Sequence, residues 1–567
     1  MSLDTSLAGT AKRWRLRPEP AAVPEGDWPP LIGRLLAQRG VSTAAGARAF
    51  FDADAPSSPP ALPDLDRAVS RLAQACRGGE TVAVYGDFDV DGVTAAALLT
   101  EGLRALGAQP IVYLPHRVDE GYGLNERAIE SLRKLGATLL VTADCGTSSI
   151  QEVAFARGQG MDVMVLDHHT VPPQLPAATI VNPKRDPRAT DEPAACGIAY
   201  YVLLALHEAL DRQADEASML ELVALGTVCD MAPLVGDNRR LVRQGLLALA
   251  QTERPGLRAL LAVSGSEPAR PDGRPSARVD TEVIGFGLGP RLNAAGRLAH
   301  ARLAYDLLVC REEERAQELA GELDALNRER RRATERALAL ADELVAAEDE
   351  APLIMLGHPE LPLGIVGLVA AKLAESRHRP AVVYQRGERE SRASARSIAE
   401  FDVTAALRTC PELFVRFGGH RMAAGFTAEN ERLPAIKERL LAEAETQLAG
   451  RELTPAIDVD AELPLSALRG EEIRWLGRLA PYGVGNPEPA FLSRGVVVAE
   501  RRSVGKDGEH LRLKLRDGAV AWPAIAFRQD GDGIEEGVRI DLVYCLSTDR
   551  YTADGLQLRI VDLRPAE

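Results

Sequence analysis

The chain has 567 residues, room for about three or four domains at roughly 100–200 residues each. Its 46% hydrophobic and 26% charged content excludes a disordered chain, and its net charge of −15 is not the basic footprint usual for a nucleic-acid binder, although a carboxylate-rich metal site adds formal charge that bound cations neutralise. No run reaches the roughly 18 uncharged apolar residues of a membrane span, no apolar segment follows Lys12, Arg13, Arg15 and Arg17, and the seven cysteines are scattered without C-x-x-C spacing; these features predict a cytoplasmic protein with no membrane contact, no zinc knuckle and no disulfide framework.

Residues 1–80 read as helices and loops punctuated by Pro56, Pro59, Pro60 and Pro63, and are expected to pack on the domain that follows. A regular alternation then begins. TVAVYG (81–86), PIVYLP (110–115), TLLVTAD (138–144) and DVMVLDHH (162–169) read as strands. Between them lie helical stretches at Val93 to Leu106, Asn125 to Leu135 (Asn125 the N-cap, Gly136 past the end) and Ser149 to Arg157. Strands alternating with helices predict an α/β fold with a doubly wound parallel sheet over 81–310. From Glu312 to Glu348 Leu319, Leu323, Leu326, Ala333, Ala337 and Leu340 keep helical spacing without sustained heptads, so 311–350 is expected to be a connecting helix and not a coiled coil. Residues 351–452 form a second α/β region, with strands LIML and AVVYQ, a helix Ile365 to Leu373 and a Gly-rich FGGH turn at 417–420. From 453 to 567 short strands alternate with Gly and Asp turns, which suits an OB-like β-barrel. Core packing is the role expected for Tyr482, Phe491 and Trp522, with base stacking the alternative.

The chemistry-bearing residues fall at strand ends. Asp87, Asp89 and Asp91 follow the first strand in GDFDVDG; Asp144 ends the third; Asp167, His168 and His169 end the fourth. In open α/β sheets ligands bind beyond the carboxyl ends of the strands, so these clusters are expected to converge. A single strand-end Asp is more often a turn former or a helix cap, but three coordinated clusters are hard to explain that way. Carboxylates with one or two imidazoles suit Mn²⁺ or Mg²⁺, and several unpaired carboxylates a few ångströms apart would repel without cations.

GDFDVDG, TADCG, LDHH and ALGTVCDMAPL (224–234) resemble the four motifs of the DHH phosphoesterase superfamily. GPRLNAAGRL (289–298), SARSI (394–398), FGGHRMAAGF (417–426) and PYGVGNPEP (481–489) are similar to its RecJ branch, the single-strand-specific 5′→3′ DNA exonucleases. The likeness spans roughly residues 30–565 and rests on the order and spacing of the motifs. It implies two cations held by Asp89, Asp91, Asp144, His168 and Asp230, with Asp144 bridging them. Asp87, Asp167 and His169 match positions that are either ligands or orienters of ligands, and complete the implied catalytic set. Arg117, Ser394 and Arg396 are implied to grip the 5′ phosphate, Arg291, Asn293 and Arg297 to face the site, and Gly418, Gly419 and His420 to contact substrate. One departure is that Pro362 and Leu363 precede Gly364 where the family carries a His, with His358 nearby but displaced.

The resemblance further implies release of 5′-mononucleotides, a role in repair and recombination, a monomer, and single-stranded DNA as the partner, with a single-strand-binding protein, helicases and mismatch-repair factors as accessories. Two rival readings are a DHH phosphodiesterase for short oligonucleotides or cyclic dinucleotides, disfavoured by the long segment after the GGH region, and a non-catalytic DNA-binding scaffold, disfavoured by the filled ligand positions.

Overall fold

The computed structural model describes residues 12–52, 61–189, 191–266, 279–345, 351–451, 453–505, 508–529, 533–548 and 555–566. Pro56, Pro59, Pro60 and residues 346–348 of the long helical pattern lie outside them. The chain divides into two compact units: Val41–Glu329 with Gly477–Glu488, and Met1–Gly40 with Arg330–Leu476 and Pro489–Glu567. Among the described residues no helix is long and apolar enough to cross a membrane.

The first unit is built on five parallel strands: β1 (Thr81–Tyr85), β2 (Gln109–Tyr113), β3 (Leu139–Ala143), β4 (Asp162–Leu166) and β5 (Thr179–Val181), in the order β2-β1-β3-β4-β5. The inner strands β1, β3 and β4 are short, apolar and mostly buried, while edge strand β2 is half-exposed. Val82 and Val84 of β1 enter one core, and Ala83 and Tyr85 enter the other. The doubly wound expectation is thus met, with the strand order reversing direction beside β1 and β3.

Helix α1 (Val90–Ala105) begins three residues before the expected Val93. Asp89 is the reason: its Oδ1 accepts from the N–H groups of Asp91 (3.0 Å) and Gly92 (3.2 Å), capping the first turn. The helix is buried nearly all round, as a central helix must be. Helix α2 (Glu126–Lys134) is capped as expected, Asn125 Oδ1 accepting from Ala128 N at 2.8 Å. Helices α3 (Ile150–Gly158), α4 (Ala195–Ala209), α5 (Glu216–Cys229) and α6 (Gly289–Leu298) complete the elements that matter for the site. The connecting helix α7 is Glu313–Val345. Tyr482, expected in the C-terminal barrel, instead lies in the first unit, where its carbonyl accepts from Thr281 Oγ1 at 2.8 Å.

The second unit holds a mixed sheet of β6 (Ile354–His358), β7 (Ala381–Arg386), β8 (Glu390–Arg396), β9 (Arg416–His420) and β10 (Ala423–Glu429), ordered β9-β10-β8-β7-β6. Helix α8 (Val366–Arg377) connects β6 to β7. The FGGH segment is not the expected turn. It is edge strand β9, with Gly418 opposite Gly425 and Gly419 opposite Ala424. Gly419 has φ 143°, and a Cβ there would collide with Ala423 O, so glycine here serves close strand approach.

The C-terminal strands β11 (Phe491–Val504), β12 (His510–Asp517), β13 (Val520–Phe527), β14 (Arg539–Thr548) and β15 (Leu556–Pro565) run in the order β11-β12-β13-β15-β14, and β14 pairs back onto β11. This is the closed five-stranded barrel expected, and Phe491 and Trp522 are buried in it. The N-terminal residues divide. From Val41 onward they fall in the first unit, where Ala68, Leu72, Ala75 and Cys76 enter its core as expected. Up to Gly40 they fall in the second: strand Arg13–Leu16 pairs with Ala456–Val459, Trp14 Nε1 donates to Asp562 Oδ2 (2.6 Å) and Gln38 Nε2 donates to Asp460 O (3.0 Å).

Candidate metal centre

The acids gather because three strand ends and one helix end meet. The loop from Gly86 to Gly92 doubles back so tightly that a Cβ on Gly92 would collide with the backbone of Asp87. Asp87, Asp89 and Asp91 are thereby held in one turn. Asp91 is buried, and its two oxygens accept from the N–H groups of Ala195 (2.6 Å) and Cys196 (2.9 Å), the first residues of α4. A helix N-terminus favours such a charge. Even so, burial and the neighbouring Asp89 push Asp91 up to about 6.

Asp144 follows β3 with φ 68°, a left-handed backbone that a non-glycine residue adopts at some cost. Its Oδ1 lies 3.2 Å from His168 Nε2 and 3.7 Å from His169 Nδ1. His168 Nε2 also lies 3.8 Å from Asp91 Oδ2, and its Nδ1 lies 3.8 Å from Asp230 Oδ2 at the end of α5. Three groups have ligand atoms within 4.8 Å of one another: Asp87 with Asp89 and Asp144, Asp91 with His168 and Asp230, and Asp144 with His168 and His169. Asp144 and His168 each belong to two of them.

Crowding leaves these acids short of counter-charge. Burial, then Asp89, pushes Asp87 up to about 8; burial, then Asp91 and Asp89, pushes Asp230 up to about 9. Asp144 is raised well above the carboxylate range by burial and then by Asp89, Asp91, Asp87 and Asp230. Asp87 Oδ1 is buried without a hydrogen-bond partner. A ring of hard oxygen donors with imidazoles, one oxygen orphaned, fits divalent cations such as Mn²⁺ or Mg²⁺.

Asp167 behaves oppositely. Burial would raise it, but hydrogen bonds and charge from His169 and the N–H of Thr147 hold it below the usual carboxylate range. Its Oδ1 accepts from His168 N (2.8 Å), His169 N (3.1 Å) and His169 Nδ1 (2.7 Å), and its Oδ2 from Thr147 N (2.9 Å). With both oxygens engaged, Asp167 orients His169. Burial lowers the His169 pKa, but the Asp167 carboxylate outweighs it and the net shift is upward.

The remaining expected residues divide. Arg117 is buried near Asp87 and Asp89, its guanidinium carbon 3.8 Å from the Phe88 ring centroid, and its Nε has no partner. Asn293 on α6 has a buried, unpartnered Oδ1, and Arg297 is half-buried on the same helix. Arg291 is engaged within the fold: it pairs with Asp324 at 2.9 Å and donates to the carbonyls of Gly287 (2.7 Å) and Val263 (3.2 Å).

In the second unit Arg396 Nη1 donates to Ser394 Oγ at 2.9 Å. Both side chains sit over the first turn of α8, where a Cβ on Gly367 would lie 3.0 Å from Ser394 Oγ and 3.1 Å from Arg396 Nη2. Guanidinium, hydroxyl and helix N-terminus are the groups from which anion sites are commonly built. Gly418, Gly419 and His420 are exposed on β9. His358, near the Pro362 departure, ends β6, and its Nδ1 accepts from Glu360 N at 3.2 Å.

Sequence reasoning missed Tyr122 and Asn182. The Tyr122 hydroxyl donates to Asp144 O at 3.0 Å and lies 3.1 Å from His169 Nδ1. Asn182 Nδ2 donates to His169 O at 3.0 Å and to Thr147 Oγ1 at 3.1 Å. The glycine-flanked aromatic of Gly121-Tyr122-Gly123 was a usable signal; nothing in the sequence marked Asn182.

Family models match along the chain: DHH family, N-terminal domain, at residues 81–227; DHHA1 domain at 350–448; RecJ OB domain at 459–562. The single-stranded-DNA-specific exonuclease RecJ of Salmonella typhimurium is 36% identical, covering 98% of this chain and 99% of that protein. The Bacillus subtilis protein of the same name is 34% identical over 92% of this chain, which spans only 66% of its length. A crystal structure of RecJ in complex with Mn²⁺ from Thermus thermophilus matches with TM-score 0.83 at 30% identity, covering 98% of this chain and 80% of that one.

Proposed function

The chain belongs to the RecJ family of DHH phosphoesterases, and from that premise we propose that it degrades single-stranded DNA from the 5′ end, releasing 5′-mononucleotides with two Mn²⁺ or Mg²⁺ ions. The observation that carries this reading is the set of three ligand groups joined through Asp144 and His168. Asp89, Asp91, Asp144, His168 and Asp230 would hold the metals, with Asp144 facing both. When bound, such cations neutralise phosphoryl charge and lower the pKa of a water to near neutrality.

The chain's own residues do the rest. Asp91 fixes the metal turn against α4 through two hydrogen bonds. Asp167 locks the His169 ring, and its charge raises the ring's affinity for a proton beside the centre. Arg117, with an unspent Nε donor beside Asp87 and Asp89, is placed for a phosphate near the centre. Ser394, Arg396 and the α8 amides would take the terminal 5′ phosphate, which sets polarity. Asn293, Arg297 and the exposed Gly418-Gly419-His420 strand would contact the nucleotide chain. We assign catalysis to 81–310, connection to 311–350, substrate end-binding to 351–452 and strand binding to the barrel of 453–567, a division supported by the family-model spans.

The test is digestion of single- and double-stranded DNA, labelled at either end, with Mn²⁺ or Mg²⁺. Labelled mononucleotide should appear at once from the 5′-labelled single strand. Release from the 3′ end, or equal attack on duplex, would overturn the assignment.

A further inference from the structure

Two large apolar side chains of the first unit are left unburied by the fold. Phe286 is 76% exposed and Met231 is 68% exposed, the two most exposed large apolar side chains among the described residues. Their segments meet at one contact: Gly289 lies so close to Cys229 that a Cβ would collide with its Sγ. Met231 directly follows Asp230, which groups with Asp91 and His168. Phe286 precedes Gly289 by three residues, in the π turn that leads into α6.

Phe286 belongs to the π turn Val283–Leu288, in which Val283, Ile284 and Leu288 are already buried. The turn is anchored without the Phe286 ring, and π turns of this kind recur at functional sites. Gly285 is exposed with open space around it, and neither 285 nor 287 sets a Cβ beside the ring. Met231 has a left-handed backbone, φ 63°. One exposed Phe needs no explanation. Two such side chains on segments joined beside a ligand-bearing acid call for a ligand with an apolar face.

We propose that Phe286, with Met231 on the adjoining segment, is a stacking platform for an unpaired nucleobase of the strand whose phosphate lies at the metal centre. The proposal rests on the nuclease reading above. It identifies the occupant by the continuity of Met231 with Asp230, and by the favourable stacking of a nucleobase on an exposed aromatic face. It also supplies a source of strand selectivity, since a base already stacked within a duplex cannot offer its face.

The test uses 5′-phosphorylated oligothymidylates in which one abasic site is placed at successive positions from the 5′ end, with kcat/KM measured for the full chain. Wild-type enzyme should lose about 10- to 100-fold when the base at one position is removed. Phe286→Ala should lose a similar factor on the intact strand, with no further loss at that position, and Phe286→Tyr should restore most of it. Met231→Ala should lose less. Cleavage by wild type with no effect of Phe286→Ala, or with losses that simply multiply, would overturn the platform alone. Failure of wild type to cleave any strand would overturn the nuclease reading and the platform with it.

Discussion

The two ends of the parallel sheet treat acids in opposite ways. At the amino-terminal end Arg71 donates to both oxygens of Glu80 at 2.8 Å and pairs with Asp162 at 2.7 Å. Arg71 and Thr138 hold Glu80 below its ordinary pKa. A groove of about 770 Å³ opens there, lined by Arg67, Arg71 and Arg157, yet each guanidinium already has a protein partner. At the carboxyl end Asp87, Asp91, Asp144 and Asp230 are all raised, and Arg117 and Lys184 only partly offset them. Paired acids hold a fold together. Acids left unpaired in a buried site store a demand for cations, which is what a metal-dependent phosphoesterase must do.

The largest effect should come from exchanging comparable side chains at the two ends. Asp144→Asn should lower hydrolysis by roughly a thousandfold or more, because it removes the carboxylate shared by two ligand groups. Asp162→Asn should leave turnover within about twofold, since its partner Arg71 keeps Glu80. Calorimetric Mn²⁺ titration would show the first variant losing a site and the second keeping both. Equal losses would erase the contrast between the ends.

Asp167 tests whether every acid at the carboxyl end acts as a ligand. It is the one whose pKa is lowered, and its oxygens are taken by backbone and His169. Asp167→Asn should reduce metal affinity or kcat by about 10- to 100-fold, the scale of losing an orienting partner. It should also shift the pH profile of kcat to lower pH on its alkaline limb, because His169 would no longer hold its proton as tightly. A loss as deep as that of Asp144→Asn would make Asp167 a ligand.

Much of this was legible in residues whose meaning is local. Alternating β-branched runs marked the parallel sheet, and Asp and His at strand ends marked the site, because strand order alone brings those ends together. The start of α1 departs from expectation because Asp-rich GDFDVDG reads as a turn; only the Asp89 cap, a matter of one oxygen's direction, makes it a helix. The roles of Asp167 and Arg291 were likewise not in the sequence. Both are decided by which partners their oxygens and nitrogens reach, Thr147 N and His169 for one, Asp324 and two carbonyls for the other. FGGH reads as a turn because two glycines permit one; the register with β10 decides otherwise.

Metal removal should give the two ends opposite pH signatures. At the carboxyl end Asp91, Asp87 and Asp230 rise to about 6, 8 and 9, so the folded metal-free protein binds more protons than the unfolded chain above about pH 4. Their stabilising contribution is complete below the unfolded value and is lost as pH rises through those folded values. The Tm of metal-free protein should therefore fall from about pH 4 to about pH 9. Saturating Mn²⁺ should flatten that fall and add stability, about 2.7 kcal/mol at a hundred times Kd. A metal-free Tm independent of pH over this range would mean the acids are not frustrated.

The smallest effect belongs to the amino-terminal end. Arg71→Ala removes a forked ion pair that is about a fifth exposed on each side, so solvent screening limits the cost to about 1–2 kcal/mol. Glu80 is lowered in the folded state, so its contribution is present above the unfolded pKa and disappears as pH falls through the folded one. The gap in Tm between Arg71→Ala and wild type should thus be widest at neutral pH and should close in acid, opposite in sense to the metal-free transition. Hydrolysis at saturating metal should be unchanged, because Arg71 lies a full strand length from the carboxyl rim. A variant that lost activity in proportion to stability would show that the two ends are mechanically coupled through β1, and the division between pairing for fold and crowding for function would have to be redrawn.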